Sequence, residues 1–353
     1  MTLVPSVMER FMCPRLRRVL FLTGIAFMGA LGVDPTKLNA APSFSTKRFF
    51  GVDYVDARDV ARRFGLAATW TEPQKSLRLK NANTTIELTE HSVDATINGL
   101  RVFLGEPVVI RDGQLYLGES DAEDLLAPIL TPHVLKPRRP LKTIVIDPGH
   151  GGSDPGNQNH RLKLSEKTYT LDVARRLETL LKAQGYRVIL TRKSDRAMDL
   201  EARTALANKA RADLFISIHF NAFSRSDVAG TETYVMTPRH QRSSPQAERD
   251  RSMVSTRYPA NAHDHWNASL GFQIHRSMVT SLRSADRGLK RFRYSVLRTI
   301  DCPAVLVEAA FLSNDAEGRR VSTAAYRQRI AESIATGVRQ HALLNASGRG
   351  RKS

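Results

Sequence analysis

The chain is poor in cysteine: only Cys13 and Cys302 occur in 353 residues. That scarcity excludes a disulfide-stapled scaffold and any Cys-rich zinc module. Acidic side chains are also in deficit, 35 Asp and Glu against 53 Lys and Arg, for a formal charge of +18. Such a charge needs a partner or a compartment to account for it, yet no aromatic-and-basic recognition motif accompanies it, which argues against a nucleic-acid binder. Long apolar runs are lacking as well. The run from Val19 to Val33 falls short of the roughly 20 residues of a membrane-crossing helix. What remains, 41% hydrophobic and 25% charged residues, describes a globular chain with a real core, in two modest domains or one large one with appendages.

The first forty residues differ from the rest. Arg15, Arg17 and Arg18 precede the apolar run, and Leu38, Asn39, Ala40 and Ala41 follow it before Pro42. Basic, then apolar, then small is the layout of a secretory signal, here residues 1–41, with an uncleaved anchor as the alternative. Cys13 lies ahead of the run, so a lipid-anchored cysteine behind it is not expected. Cleavage leaves Cys302 as the single thiol of an exported protein, periplasmic or associated with the cell wall. There the basic surface would meet anionic wall polymers or a membrane surface.

From 49 to 131 short alternating pieces predict strands at 84–88, 95–97, 101–104 and 114–117, with helices at 56–64 and 119–130. Asn98-Gly99 and Asp112-Gly113 between them supply the positive φ that tight hairpins demand. This small α+β meander resembles the copper-amine-oxidase-like N-terminal module of secreted bacterial proteins, through Tyr54-Val55, Ala61-Arg62-Arg63-Phe64-Gly65 leading to Trp70, and Ile97-Asn98-Gly99. It holds no cluster of metal ligands, so the resemblance implies no copper. Residues 132–140, with three prolines, Lys136, Arg138 and Arg139, read as an extended basic linker.

A second pattern runs from 141 to 345. Apolar runs at 143–146, 187–190, 214–218, 233–235 and 304–307 alternate with helix-period stretches at 166–184, 200–211, 267–282 and 324–343, which predicts an α/β domain with a mainly parallel twisted sheet flanked by helices. Residues 238–265 break the rhythm and read as a surface insertion. Residues 346–353 read as a frayed basic tail.

Open α/β sheets place their sites beyond the carboxyl ends of strands, where three residues of this chain fall. His150 follows the first strand in Asp147-Pro148-Gly149-His150-Gly151-Gly152, His219 ends 214–218, and Glu308 ends the apolar run 303–307. A carboxylate after such a run is costly unless paired or used. Two imidazoles and a carboxylate are the ligand set of a catalytic zinc site with an open position, and a second carboxylate nearby supplies a general base. Glu166 opens a helix behind Ser165, a plausible N-cap; an acidic residue there also complements the helix dipole. Asp147 reads as a turn stabiliser, and Arg192 and Asn221 as structural or supporting residues.

From Lys142 to Leu343 the chain resembles the zinc-dependent N-acetylmuramoyl-L-alanine amidases of the type 3 family. The matching stretches include Ile144 to Gly152, Leu190-Thr191-Arg192, Leu200 to Arg203, Ile216 to Ala222, Gly230-Thr231-Glu232-Thr233-Tyr234 and Val307 to Asn314, in family order. Ala310 stands where the family usually has glycine. The resemblance implies one zinc ion held by His150, Glu166 and His219, Glu308 as the catalytic glutamate, peptidoglycan as substrate, and an activator protein as a candidate partner. Arg287-Gly288-Leu289 and Ser295 to Arg298 match the family's substrate-side loop. Two alternatives stand beside this reading: a zinc peptidase or carboxypeptidase acting on the stem peptide, and a non-catalytic cell-wall-binding protein.

Overall fold

The computed structural model describes residues 44–132, 135, 139–244 and 254–347. The expected export signal, much of the linker and most of the basic tail lie outside these residues. Among the described residues no helix is long and apolar enough to cross a membrane.

The first part builds two antiparallel layers. Strands β1 Thr46–Phe49, β2 Val52–Asp56, β8 Val109–Arg111 and β9 Gln114–Gly118 form a small sheet in the order β1-β2-β9-β8, and β3 Ala67–Glu72, β4 Ser76–Lys80, β5 Thr85–Thr89, β6 Asp94–Ile97 and β7 Leu100–Phe103 form a meander. The two expected hairpins are present, with φ of +52° and +76° at Asn98 and Gly99 and +51° and +70° at Asp112 and Gly113, the left-handed pair that a tight turn between twisted strands requires. Helix α1 Ala57–Arg63 is capped by the Asp56 side chain. The helix expected over 119–130 is broken into α2 Glu119–Asp121, a π-helical turn Ala122–Leu126 and α3 Ala127–Leu130. Pro128, which cannot donate a backbone hydrogen bond, sits in the first turn of α3.

In the second part β10 Thr143–Pro148, β13 Arg187–Leu190, β14 Leu214–Asn221 and β17 Ala304–Phe311 run parallel, in the order β13-β10-β14-β17. A short antiparallel pair, β11 Gln158–Asn159 and β12 Leu164–Ser165, follows β10, and a helix α8 Asp315–Ser322 follows β17. Apolar side chains alternate between two cores, as the period of two in a strand dictates. Ile144, Ile146, Leu214, Ile216, Ile218, Val305 and Val307 face helices α4 Glu166–Ala183, α6 Asp264–Leu282 and α9 Ala324–Ser347. Val145, Phe215, Ala304 and Leu306 face α5 Leu200–Lys209 and α7 Ser295–Arg298.

The sheet is more mixed than its apolar runs predict. Strand β15 Thr231–Val235 pairs antiparallel with β17, and β16 Asp286–Arg291 pairs parallel with β15. Strand β16, sequence DRGLKR, has one large apolar residue and gives no alternation signal; it is a strand because it is paired on both sides. Its other neighbour is β7, through Leu289 and Val102. The meander therefore continues the sheet, eleven strands in the order β13-β10-β14-β17-β15-β16-β7-β6-β5-β4-β3, and one apolar core runs from Phe44 to Val338.

Both described flanks of the segment read as a surface insertion are packed into the protein. Gln241, Ser243 and Ser244 are buried, and Arg293 donates to the carbonyls of Pro238 and Gln241 at 2.9 and 2.8 Å. On the far side a 3-10 turn, Pro259–His263, with Ala260 and His263 buried, leads into α6 three residues earlier than the periodicity predicts. Residues 245–253 lie outside the described residues. The flanks are held because buried arginines need acceptors.

The start of α6 also carries a pH-sensitive contact with the first part of the chain. His265 pairs with Asp124 at 3.1 Å, and Asp264 is pushed up to about 7, by burial and by the nearby Asp124 charge, against the hydrogen bonds it accepts from Asn261. A carboxyl whose pKa is raised on folding disfavours the folded state once it must ionise, so its cost grows between about pH 4 and pH 7. The His265 ring is raised chiefly by its hydrogen bond to Asp124, so its contribution is complete below about pH 6.5 and is lost as pH rises through the folded value. Asp264→Asn should therefore raise the melting temperature at pH 8 and change it little at pH 4. An equal change at both pH values, in melts of the two proteins, would refute this.

Candidate metal centre

Three donors converge at the carboxyl edge of the parallel strands. His150 leaves β10 in a turn of positive φ, +62° at His150, +129° at Gly151 and +61° at Gly152. His219 lies near the end of β14, and Glu166 is the first residue of α4, wholly buried. One Glu166 oxygen, Oε1, stands 3.1 Å from His150 Nε2 and 3.0 Å from His219 Nδ1, and all three donor atoms lie within 4.8 Å of one another. Donors set tetrahedrally at about 2.0–2.2 Å from one ion are roughly 3.3 Å apart. The cluster thus fits a single ion with nitrogen and oxygen ligands. Burial opposes ionisation of Glu166, but hydrogen bonds from both rings and their charge hold it well below the ordinary carboxylate range.

The surroundings fix each donor. His150 Nδ1 hydrogen-bonds Asp154 Oδ2 at 2.8 Å, which leaves Nε2 facing the cluster; such a partner on the second nitrogen sets the tautomer and orientation of a ligating histidine. Burial lowers the affinity of the His150 ring for a proton, but Glu166 and Asp154 outweigh it and raise it overall. Glu166 also accepts the backbone N–H groups of Asn157, at 2.7 Å, and Phe220, at 3.0 Å. The expected Ser165 cap is absent: its hydroxyl donates instead to the Pro155 carbonyl at 2.9 Å. Two glycines make room. A Cβ on Gly149 would stand 2.2 Å from the His219 ring, and one on Gly156 would stand 2.6 Å from Glu166.

Glu308 is brought to the same place by register. It lies directly across from His219 on β14 and from Glu232 on β15. Odd positions of β14 and even positions of β15 and β17 share one face of the sheet, so the three side chains stand in a row. Glu308 is not one of the clustered donors, and its Oε2 is shielded from solvent without a hydrogen-bond partner among the described residues. Burial, then the Glu166 and Glu232 charges, push its carboxyl well above the ordinary value, with Lys290 opposing. A carboxylate so placed is a stronger base than one in water.

Glu232 and Asp154 were not singled out by the sequence. Glu232 is buried and accepts from Lys290 at 2.7 Å, Arg287 at 2.9 Å, Tyr234 at 2.7 Å and Asn221 at 2.9 Å. Burial pushes it up, but Lys290, Tyr234 and Arg287 hold it below its usual value. Asn221 is thereby a supporting residue. Asp147 is buried in an ion pair with Arg203 at 2.8 Å and accepts from Thr191 and Ser217 at 2.6 and 2.8 Å. Arg203 and the fully buried Arg192 donate to the carbonyls of Pro148, Gly149 and His150, clamping the turn that presents His150. A cavity of about 600 Å³ opens beside the cluster, with His150 and His219 on one side and Met198, Leu200 and Val296 on another.

A family model described as N-acetylmuramoyl-L-alanine amidase matches residues 144–340, and one described as copper amine oxidase N-terminal domain matches residues 35–120. N-acetylmuramoyl-L-alanine amidase LytC of Bacillus subtilis (strain 168) is 35% identical over 196 residues, 56% of this chain and 34% of its own length. N-acetylmuramoyl-L-alanine amidase AmiC of Neisseria meningitidis serogroup B is 31% identical over 223 residues, 58% of this chain and 53% of its own. The solved catalytic domain of CwlV from Bacillus (Paenibacillus) polymyxa is 29% identical, with a TM-score of 0.47 over 57% of this chain and 97% of that one. The chain spans a third to a half of the length of these two curated relatives.

Proposed function

Because the chain belongs to the N-acetylmuramoyl-L-alanine amidase family, we propose that it hydrolyses the amide between the lactyl group of N-acetylmuramic acid and L-alanine in peptidoglycan. The work is done outside the cytoplasm, in cell-wall remodelling or daughter-cell separation, after export by the leader. One observation carries the reading: the His150, Glu166 and His219 donors lie within 4.8 Å of one another, with Glu308 in register beside His219. Nitrogen and oxygen donors in this number suit zinc with a position left open.

Bound there, zinc supplies Lewis acidity toward the attacking water and the scissile carbonyl. The chain does the rest. Glu308 takes the proton of the water on its unpartnered Oε2 and returns it to the leaving amine. Asp154 holds the His150 ring, and the clamp of Arg192 and Arg203 on the backbone carbonyls keeps that ring from drifting. Met198, Leu200 and Val296 offer the substrate apolar surface in the cavity beside the cluster.

The reading is tested by digesting purified sacculi with the full chain, with and without chelator, and identifying the new ends. Free L-alanine amino termini with intact muramic acid are expected, and chelation should stop their release. New ends inside the stem peptide would make the protein a peptidase instead; binding without cleavage would make it a wall-binding protein.

A further inference from the structure

The carboxylate next to Glu308 is held by a strand that is itself held by the first part of the chain. Lys290 and Arg287, which both donate to Glu232, lie on β16. That strand has little apolar side chain of its own to bury. Beyond its pairing with β15 and the contact of His275 on α6 with Asp286 at 2.9 Å, it is held by the meander. Leu289 pairs with Val102, and the backbone N–H of Arg101 donates to Asp286 at 2.7 Å. Gly288, with φ of +97°, lies so close to Phe103 that a Cβ there would come within 2.5 Å of the ring. The Lys290 ammonium sits 5.3 Å from the same ring's centre. Arg291 is buried against Asp121, also buried, and donates to Gln241 and to the Phe103 carbonyl.

We infer that the N-terminal part acts as a positioning element of the hydrolytic site: Phe103 and Asp121 hold β16 in place so that Lys290 fixes Glu232 beside Glu308. The inference rests on the proposed function for its kinetic part and on the fold alone for its structural part. The chain of contact is short, from Phe103 to Lys290, Glu232 and the register neighbour Glu308. Among the described residues no hydrogen bond or ion pair joins Phe103, Lys290 or Glu232 to His150, Glu166 or His219, so losing one should leave the metal centre assembled. The first part of the chain therefore serves catalysis by its packing, besides any role it has in localisation.

The experiment compares the full chain with Phe103→Ala, Asp121→Asn, Lys290→Met and Lys290→Arg. Three quantities are read: kcat and KM on a soluble muropeptide, bound zinc, and amide hydrogen exchange of residues 286–291. Phe103→Ala and Lys290→Met are expected to lower kcat by about tenfold or more, as displacement of a supporting group does, with KM within about twofold and zinc retained. Lys290→Arg, which keeps the cation, should recover most of the loss. In Phe103→Ala and Asp121→Asn the exchange of residues 286–291 should quicken, while that of β10 stays as it was. Unchanged exchange there in Phe103→Ala overturns the inference whether or not the enzyme turns over. Unchanged kcat in Phe103→Ala and Lys290→Met overturns it if the unsubstituted chain is active. An inactive unsubstituted chain instead counts against the proposed function. Should Asp121→Asn fail to fold, because it strips the partner from buried Arg291, the Phe103 and Lys290 variants decide.

Discussion

Glu308→Ala is expected to lower turnover of the lactyl-alanine amide by about 10³-fold, the middle of the range for loss of a general base, while zinc remains bound at the unsubstituted level. The first half follows from position. Glu308 faces the same side of the sheet as His219, one strand away, and its Oε2 has no partner among the described residues. An unpaired buried carboxylate is expensive, so its retention beside the cluster is accounted for by a task. The second half follows from the cluster itself. Glu166 and the two imidazoles already make up a compact donor set without Glu308, and their supports, Asp154 and the backbone N–H groups of Asn157 and Phe220, do not involve it. Activity and metal content measured on the same preparation test both halves. Zinc lost together with activity would move Glu308 into the coordination sphere and leave the general base unassigned. Near-normal activity with zinc retained would refute the proton-transfer role.

Arg203→Met is expected to produce the largest loss of stability, about 3–5 kcal/mol, because it leaves the Asp147 carboxylate buried without its cation. Both side chains are almost wholly shielded, 4% and 1% exposed. The hydroxyls of Thr191 and Ser217 remain as donors but carry no charge. In a domain of this size each kcal/mol corresponds to roughly 2–4 °C, so a fall of about 10 °C in the melting temperature should be seen. Arg203 also donates to the carbonyls of Pro148 and His150 at 2.8 and 2.9 Å. The turn of positive φ that presents His150 is then less constrained, and zinc affinity should fall along with stability. The double variant Asp147→Asn with Arg203→Met separates the causes: removing both charges should restore much of the stability but little of the metal affinity. Arg203→Met melting like the unsubstituted protein would show the pair to be energetically idle.

These expectations bear unequally on sequence and structure. Continuous apolar runs marked β10, β14 and β17, and because a strand's side chains alternate, the same parity that turns Ile218 and Val307 to one face turns His219 and Glu308 to the other. Strand ends in an α/β pattern place such residues at one edge, so the site's location was legible from local spacing. The helices α4, α5 and α9 followed from their apolar period in the same way. Hairpins at Asn98-Gly99 and Asp112-Gly113 were legible because few residues tolerate that backbone geometry.

The tertiary structure decided what depends on distant partners. Glu166 bridges two histidines only because the start of α4 lies against both the His150 turn and the end of β14, so its residue type at a helix N-terminus was equally consistent with dipole complementarity. Asp154 finds His150 through loop geometry, which leaves no periodic trace. Glu232 is a buried acid in a short strand, made tolerable by cations from β16, more than fifty positions later in the chain. Strand β16 itself has no apolar alternation, since backbone hydrogen bonds to β15 and β7 define it. Pairing of that kind is carried by groups every residue has, and it joins Val102 to Leu289 across most of the chain. The sequence therefore determined the layers, the face and the edge where chemistry occurs. Long-range packing alone decided that the meander and the amidase-family domain share one sheet, and which buried charges support Glu232 beside Glu308.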